Sequence, residues 1–254
     1  MLTRTLCIGL ATLALGMNVM AKSSATGKTA APTKPAAATA APAAPKPATP
    51  PMPTFTEGVE YERVDSSAAN ALAAPVSPAG SIEVMEFFSY GCVHCFHFEP
   101  MVEGWRKLKP ADVKLVLVPA TFRPDFALLA RGYYASEALG VSEKVHAAIW
   151  DALWKQTRRV DTIADLIDLY QSVGVDRAKF VDACAAPAIE ERLKHAGELL
   201  VQYGVRGTPD LIVARKYRVL LGKLPNAGQA FEVANYLIGM ERSELKTAHV
   251  ANHL

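Results

Sequence analysis

Residues 86–100 read EFFSYGCVHCFHFEP and hold two cysteines, Cys92 and Cys95, with two residues between them. The segment Ile82–Phe88, which leads into the cysteines, is almost entirely apolar, as is typical of a strand buried on both faces of a parallel sheet. A helix is expected to begin at the cysteines and to run to about Lys107. Such a pair can hold a metal, form a structural bridge, or alternate between dithiol and disulfide.

The pattern outside this stretch predicts an α/β fold. Val113–Val118 is a second strong strand signal, so strand, helix and strand form a βαβ unit with a parallel sheet. From about 125 to 203 apolar residues recur at helical spacing without strand signals, which predicts an inserted α-helical subdomain. Strand signals at 211–215 and 217–221 predict an antiparallel hairpin, and a last helix is expected over about 226–240. Together these elements give a central mixed β-sheet with helices on both faces.

Residue types at the helix ends support the inserted subdomain. Gly140 and Gly174 stand where two of these helices should end, and glycine favours the left-handed conformation that closes a helix. Ser142, Thr162 and Asp176 stand where others should begin, and their side chains can accept hydrogen bonds from the first free backbone N–H groups.

The N-terminal part is expected to lie outside the folded core. Residues 1–21 combine Arg4, an apolar run too short to span a bilayer comfortably, and small residues at the end, which predicts a cleaved signal peptide, with a retained anchor as the alternative. Residues 22–56 are rich in Ala, Pro and Lys, a composition that predicts a disordered linker. The folded domain is expected over 57–242, followed by a flexible tail over 243–254.

Cysteine number and charge narrow the function. An exported protein keeps Cys92, Cys95 and Cys184 in an oxidising compartment, and three cysteines suggest one local pair and one leftover thiol. A metal carrier that uses Cys92, Cys95 and His97 is a competing interpretation, although no second ligand cluster with metal spacing occurs in the sequence. Residues 57–254 hold 22 basic and 25 acidic residues, and nothing in this balance suggests a nucleic-acid partner.

The position of the pair at a helix start gives its two sulfurs different chemistry. Free backbone N–H groups and the positive end of the helix dipole favour an anion at the first sulfur, so Cys92 is expected to be the thiolate. Cys95, one turn into the helix, should lie deeper and keep a higher pKa. Exchange with a substrate then proceeds through a mixed disulfide at Cys92, which the remaining thiol resolves.

Several other residues have two possible interpretations. His94 adds a donor and potential positive charge beside the thiolate, or is simply an exposed helix residue. Glu86 is either buried with a raised pKa and able to exchange protons with a nearby thiol, or reaches water at the strand end. Trp150 and Trp154 are favoured as core residues over a substrate groove. Cys184 is expected to pack in the helical subdomain.

Two segments resemble one known family. EFFSYGCVHCFHFEP at 86–100 resembles the active-site strand and helix of periplasmic DsbA-type thiol:disulfide oxidoreductases, and GVRGTPDLIV at 204–213 is similar to their second active-site loop. The resemblance implies a thioredoxin-like fold with a helical insertion and a redox-active disulfide without any other cofactor. It implies roles for six residues: the nucleophile Cys92, the resolving Cys95, the tuning His94, the buried proton acceptor Glu86, and Thr208 with a cis Pro209, which would face the disulfide and pair with the substrate backbone.

The resemblance also implies partners, and two departures bear on them. Expected partners are reduced exported polypeptides and a quinone-linked membrane reoxidase similar to DsbB, with the protein acting in the periplasm as a monomer. Val93 replaces the proline usual after the first cysteine, and Thr208 is familiar in isomerase and reductase branches. Those branches usually carry a folded dimerisation domain where this chain has a spacer, so an oxidase is favoured and an isomerase or reductase is the alternative.

Overall fold

The computed structural model describes residues 53–64 and 81–251, so the predicted signal peptide and nearly all of the predicted linker lie outside the described residues. The described part forms a five-stranded mixed sheet in the order β1-β5-β4-β2-β3. As predicted, β2 and β3 are parallel, while the other neighbours are antiparallel. The strands are β1 Tyr61–Arg63, β2 Ile82–Phe88, β3 Val113–Pro119, β4 Asp210–Val213 and β5 Tyr217–Val219.

Helices cover both faces of this sheet, and five of them form the predicted insertion between β3 and β4. The helix that follows Cys92 is α1, and the helical insertion comprises α2 to α6 with a π-helical turn after α3. The bounds are α1 Val93–Leu108, α2 Pro124–Ala138, α3 Ser142–Trp150, the π-helical turn Asp151–Lys155, α4 Ile163–Ser172, α5 Arg177–Ala185, α6 Pro187–Gln202, a 3₁₀ turn Leu221–Lys223, and α7 Gln229–Ala251.

The sheet separates two hydrophobic clusters. Alternate residues of β2 point to opposite faces, so Phe87 contributes to the cluster under the helical insertion, whereas Val84 contributes to the cluster under α1 and α7. Every residue of β2 is buried, as its apolar sequence predicted. Full burial of each large apolar side chain contributes roughly 1.5–3 kcal/mol, which makes β2 the rigid centre from which the cysteines project.

Most predicted helix ends are confirmed, and one cap is wrong. Thr162 forms a reciprocal capping box with Asp165, and the Asp176 side chain accepts from the start of α5. Gly140 and Gly174 have φ values of 67° and 90°, as expected for helix-closing glycines. Ser142 is the first residue of α3 and not its cap, because the chain before it approaches in a near-helical conformation without a side-chain cap.

The folded part extends beyond the predicted bounds at both ends. Phe55, assigned to the linker from composition, is buried and meets the Tyr236 ring edge to face at 5.6 Å between centroids. The tail predicted from residue 243 is wrong as far as Ala251, since α7 continues to that residue. Ion pairs from Lys216 to Glu241 and Glu244 hold this extension against the hairpin.

The β4–β5 hairpin and the helix predicted over 142–158 also differ from the sequence-based prediction. The hairpin strands are shorter than predicted because Ala214 and Arg215 adopt positive φ values and form the turn. The helical pattern over 142–158 is interrupted at Asp151, where the backbone widens into the π-helical turn. Within the described residues, none of the helices has the length and apolar character needed to cross a membrane.

Candidate active site

Cys92 lies in the turn that joins β2 to α1. Its backbone N–H donates to the Ser89 carbonyl at 3.0 Å, and the N–H of Gly91 donates to the Ser89 hydroxyl at 3.1 Å. Cys92 has extended dihedrals and occupies the N-cap position, where its Sγ accepts from the backbone N–H of Cys95 at 3.4 Å. The predicted placement of this sulfur at a helix N-terminus is therefore confirmed.

These surroundings lower the pKa of Cys92 to about 5. The largest cause is the hydrogen bond from the Cys95 thiol, followed by burial, which acts in the opposite direction; Thr208 and the backbone N–H groups of Cys95 and His94 lower the pKa further. The side chain is 8% exposed. Cys92 is thus a thiolate at neutral pH and still open to a partner at one edge.

Cys95 has the opposite character. It is 1% exposed, and burial raises its pKa well above the ordinary cysteine value. Both cysteines are free thiols in this structure. The predicted asymmetry of an ionised outer sulfur and a neutral inner one is present, which suits one sulfur for exchange with a partner and the other for resolving the mixed disulfide.

The Thr208–Pro209 loop closes the other side of the cysteine pair. The antiparallel pairing of β4 with β2 sets Asp210 opposite Phe87, so the residues just before β4 lie beyond the end of β2. The peptide bond before Pro209 is cis, as the resemblance implied, and an ordinary trans turn is excluded. The Thr208 carbonyl lies 3.2 Å from the Cys92 Sγ and accepts its S–H in the thiol form.

Glu86 is buried beneath the site. It is 1% exposed, so the alternative in which it reaches water is wrong. Burial is the largest cause that raises its pKa well above the ordinary value, and the negative charge of Glu99 adds to the effect. Its Oε2 has no hydrogen-bond partner among the described residues. A carboxyl with a raised pKa keeps its proton to a higher pH than an exposed glutamate does, and it can exchange that proton with a neighbouring group.

The other residues singled out in the sequence are His94, His97 and Cys184. His94 is exposed. The group of His94 that contributes to the lowered pKa of Cys92 is its backbone N–H. His97 is also exposed, as expected of a surface histidine. Among the described residues, no group of three or more His, Cys, Asp or Glu side chains is arranged to hold a metal. Cys184 is buried in the insertion, and burial raises its pKa to about 11.

The sequence patterns did not reveal that side chains of the helical insertion hydrogen-bond to Tyr90, in the turn before Cys92. The Tyr90 carbonyl accepts from the Trp154 indole N–H at 2.8 Å, and the Tyr90 hydroxyl lies 2.6 Å from Nδ1 of the buried His146. Trp150 is buried as predicted, whereas Trp154 is half-buried and stacks on Phe96. The one sequence feature that could have indicated this contact is His146, a histidine on the apolar face of α3 between Val145 and Ile149.

Comparison with known proteins decides the family. The model of the DSBA-like thioredoxin domain family matches residues 83–228. This chain belongs to the DsbA family. The thiol:disulfide interchange protein DsbA of Pseudomonas aeruginosa is 34% identical over 192 residues, which cover 76% of this chain and 88% of that protein. The DsbA of Burkholderia cepacia is 41% identical over 145 residues, which cover 57% of this chain and 68% of that protein.

Solved DsbA structures share the fold. The crystal structure of Pseudomonas aeruginosa DsbA superposes with a TM-score of 0.68 at 34% identity and covers 76% of this chain and 97% of its own. Reduced DsbA1 from Neisseria meningitidis gives a TM-score of 0.63 at 26% identity, with 76% and 98% covered. The predicted thioredoxin-like fold with a helical insertion is confirmed, and the chain is a thiol:disulfide oxidoreductase of the DsbA family.

Proposed function

We propose that this protein is a periplasmic oxidase that donates its Cys92–Cys95 disulfide to reduced exported polypeptides. The observation that carries the proposal is the setting of the Cys92 Sγ at the start of α1, where the Cys95 thiol, Thr208 and the backbone N–H groups of Cys95 and His94 together lower its pKa to about 5. A sulfur with such a low pKa is a good leaving group. Stabilisation of the reduced form also makes the disulfide a stronger oxidant.

The reaction balances as two exchanges. A substrate thiolate attacks the Cys92 sulfur of the disulfide; a mixed disulfide forms, and Cys95 leaves as a thiolate that takes up a proton. A second substrate thiolate then attacks the substrate sulfur in the mixed disulfide and releases the Cys92 thiolate. The substrate loses two electrons and gains its disulfide, while the protein ends as the dithiol.

Glu86 is assigned as the group that exchanges a proton with Cys95. The inner thiol has a raised pKa, so its thiolate must be protonated when it leaves and deprotonated when the disulfide is restored. A buried carboxyl with a raised pKa can both donate and accept this proton. His94 contributes its backbone N–H to the thiolate, and the exposed ring adds positive charge at the rim when protonated.

The loop before β4 is assigned to substrate binding. Thr208 stands against the Cys92 sulfur, and its backbone, next to the cis Pro209, is free of the β2–β4 ladder that begins at Asp210. A substrate chain that lies along this loop in an extended conformation brings its cysteine to Cys92. Backbone pairing of this kind accepts many sequences, as a general oxidase requires.

The oxidised state has to be restored by a partner. We assign this step to a membrane-bound reoxidase similar to DsbB, which passes the two electrons to a quinone. We also propose that the protein acts as a monomer in the periplasm, to which its predicted signal peptide directs it. The Ala/Pro/Lys-rich stretch over residues 22–52 is assigned as the linker between the export signal and the folded domain.

A redox titration tests the direction of exchange. Equilibration with glutathione buffers, together with oxidation of a reduced peptide that contains two cysteines, should give a potential well above that of thioredoxin and rapid peptide oxidation. The Cys92→Ser variant should lose the oxidation completely. A potential close to that of thioredoxin, or failure to oxidise the peptide, would instead assign the protein as an isomerase or reductase, the role with which Thr208 is also compatible.

A further inference from the structure

The turn that presents Cys92 is held by side chains of the helical insertion. Tyr90 is a central residue of this turn, which the Cys92 N–H closes onto the Ser89 carbonyl. The insertion contacts two polar groups of Tyr90: its carbonyl accepts from the Trp154 indole at 2.8 Å, and its hydroxyl meets His146 Nδ1 at 2.6 Å. The position of the nucleophile is thus tied to residues more than fifty positions away.

His146 connects three structural elements from a buried position. Besides Tyr90, its ring contacts Glu99 of α1, with 3.0 Å between Nε2 and Oε1, and the Trp150 indole nitrogen, which lies 3.1 Å from the same Nε2. One ring nitrogen cannot donate to the carboxylate and accept from the indole at the same time. The Nε2 contact can therefore switch partners, whereas the Nδ1 contact with Tyr90 holds in either arrangement.

We propose that His146 is a positioning residue for thiol–disulfide exchange. By holding the Tyr90 hydroxyl, His146 keeps the turn in the one conformation in which the Cys92 Sγ faces the N–H of Cys95. The inference rests on exchange chemistry at Cys92 and not on whether the protein acts mainly as an oxidase.

Packing alone does not explain why the Tyr90 hydroxyl and the His146 imidazole are buried here. Tyr90 is surrounded by rings, with Phe88 at 5.3 Å and Trp150 at 4.9 Å between centroids, so a phenylalanine would satisfy the packing. A hydroxyl and an imidazole buried in such a setting cost free energy unless they are hydrogen-bonded, and their contribution lies in fixing one geometry. The geometry they fix here is that of the catalytic turn.

Two substitutions of His146 separate positioning from general packing. In His146→Asn the side-chain amide can occupy the place of Nδ1 and keep the bond to Tyr90, whereas in His146→Gln it reaches the place of Nε2, toward Glu99. The reduced variants are treated with 5,5′-dithiobis(2-nitrobenzoate) for the second-order rate at Cys92. The thiolate is titrated by absorbance at 240 nm, and thermal unfolding is recorded for each protein.

The proposal expects His146→Asn to react at close to the wild-type rate and His146→Gln to react about fivefold more slowly, the factor that corresponds to one lost hydrogen bond. Of the two His146 variants, only His146→Gln should raise the Cys92 pKa. Tyr90→Phe should match His146→Gln. The control Tyr133→Phe, which removes another buried hydroxyl hydrogen-bonded to Glu137 at 2.8 Å, should leave the rate and the Cys92 pKa unchanged.

Equal rates and equal Cys92 pKa values in the Asn and Gln variants would overturn the proposal, as would a Tyr90→Phe variant that behaves like Tyr133→Phe. If a His146 variant fails to fold, the tyrosine pair decides the question alone. These readouts follow nucleophilic attack by reduced Cys92 on a small disulfide, so they remain informative even if the redox titration assigns the protein as an isomerase or reductase.

Discussion

At the residue scale, Thr208 acts on Cys92 through two groups with opposite effects. Its backbone carbonyl, 3.2 Å from Sγ, accepts a hydrogen bond only from the thiol, whereas its side chain is among the groups that lower the pKa of Cys92. The carbonyl is present whatever residue stands here, but the hydroxyl is particular to threonine and serine. The balance between thiol and thiolate can therefore be adjusted through this one side chain.

Replacement of Thr208 by valine should raise the pKa of Cys92 and make the disulfide less oxidising. Loss of one hydrogen bond to the thiolate, worth roughly 1 kcal/mol, corresponds to slightly less than one pKa unit. Absorbance at 240 nm as a function of pH measures the change. Thr208→Ser keeps the hydroxyl and should titrate like the wild type; if both variants titrate alike, the hydroxyl has no part in holding the thiolate.

Replacement of Glu86 by glutamine should stabilise the protein at neutral pH. Burial raises the pKa of Glu86, so the folded state keeps a proton that the unfolded state releases above about pH 4.5, and wild-type stability falls as pH rises from there toward the folded pKa. The penalty is roughly 1.4 kcal/mol for each pH unit in that window.

Urea unfolding at pH 4 and pH 7 checks this expectation. The advantage of Glu86→Gln should be present at pH 7 and small at pH 4. Glu83, also buried on β2, is a matched control because it is paired with Arg215 at 2.6 Å, so Glu83→Gln should destabilise the protein at pH 7. Equal stability of Glu86→Gln and wild type at pH 7 would mean that Glu86 is not kept protonated by the fold.

Sequence reasoning found the site residues that lie close together in the chain and missed those that do not. Cys92 and Cys95 share one helix start, and Pro209 was found only through resemblance, because no local pattern places it beside the cysteines. His146 and Tyr90 are separated by 56 positions, and their contact depends on how the insertion packs on β2. Helical spacing gives the face on which a residue lies but not the partner that this face meets.

At the scale of elements, patterns predicted the kind and order of strands and helices better than their ends. The strands β2 and β3 were clear because they are apolar on both faces, and capping residues such as Thr162 marked true helix starts. The π-helical turn at Asp151–Lys155 was missed because a single added residue per turn barely alters the apolar spacing. The length of α7 was missed because its last turns are held by ion pairs and not by apolar burial.

Truncation of α7 tests whether that extension contributes to stability. A stop after Met240 removes Glu241 and Glu244 and leaves Lys216 without either carboxylate. The free energy of unfolding is expected to fall by about 1–2 kcal/mol, as suits half-buried ion pairs. A stop after Lys246 keeps both pairs and should be close to wild type in urea unfolding. If both truncations behave alike, the end of α7 contributes no stability, as expected of the flexible tail predicted over 243–254.

At the scale of the whole molecule, the site lies where three separate parts of the fold meet. Strand β2 brings Glu86 and the turn, the hairpin that starts at β4 brings Thr208 and Pro209, and the helical insertion holds Tyr90 through His146. Because the two hydrophobic clusters lie on opposite faces of the sheet, both must be formed before all three parts are in place. The thiolate at Cys92 is therefore a property of the complete fold, and its energy is coupled to global stability.

This coupling predicts a pH-dependent difference between the reduced and oxidised proteins. The pKa of Cys92 is lowered from 9.0 to about 5 by folding, so the thiolate stabilises the reduced protein fully near pH 9, progressively less as pH falls, and not at all below about pH 5. Cys95, with its raised pKa, stays neutral in the folded protein over this range. The oxidised protein has neither thiol and should lack the effect, so the reduced protein should be the more stable of the two at pH 8 and should lose that advantage at pH 4. Urea unfolding of both forms at the two pH values measures the difference, and an unchanged gap between them would show that folding does not favour the Cys92 thiolate.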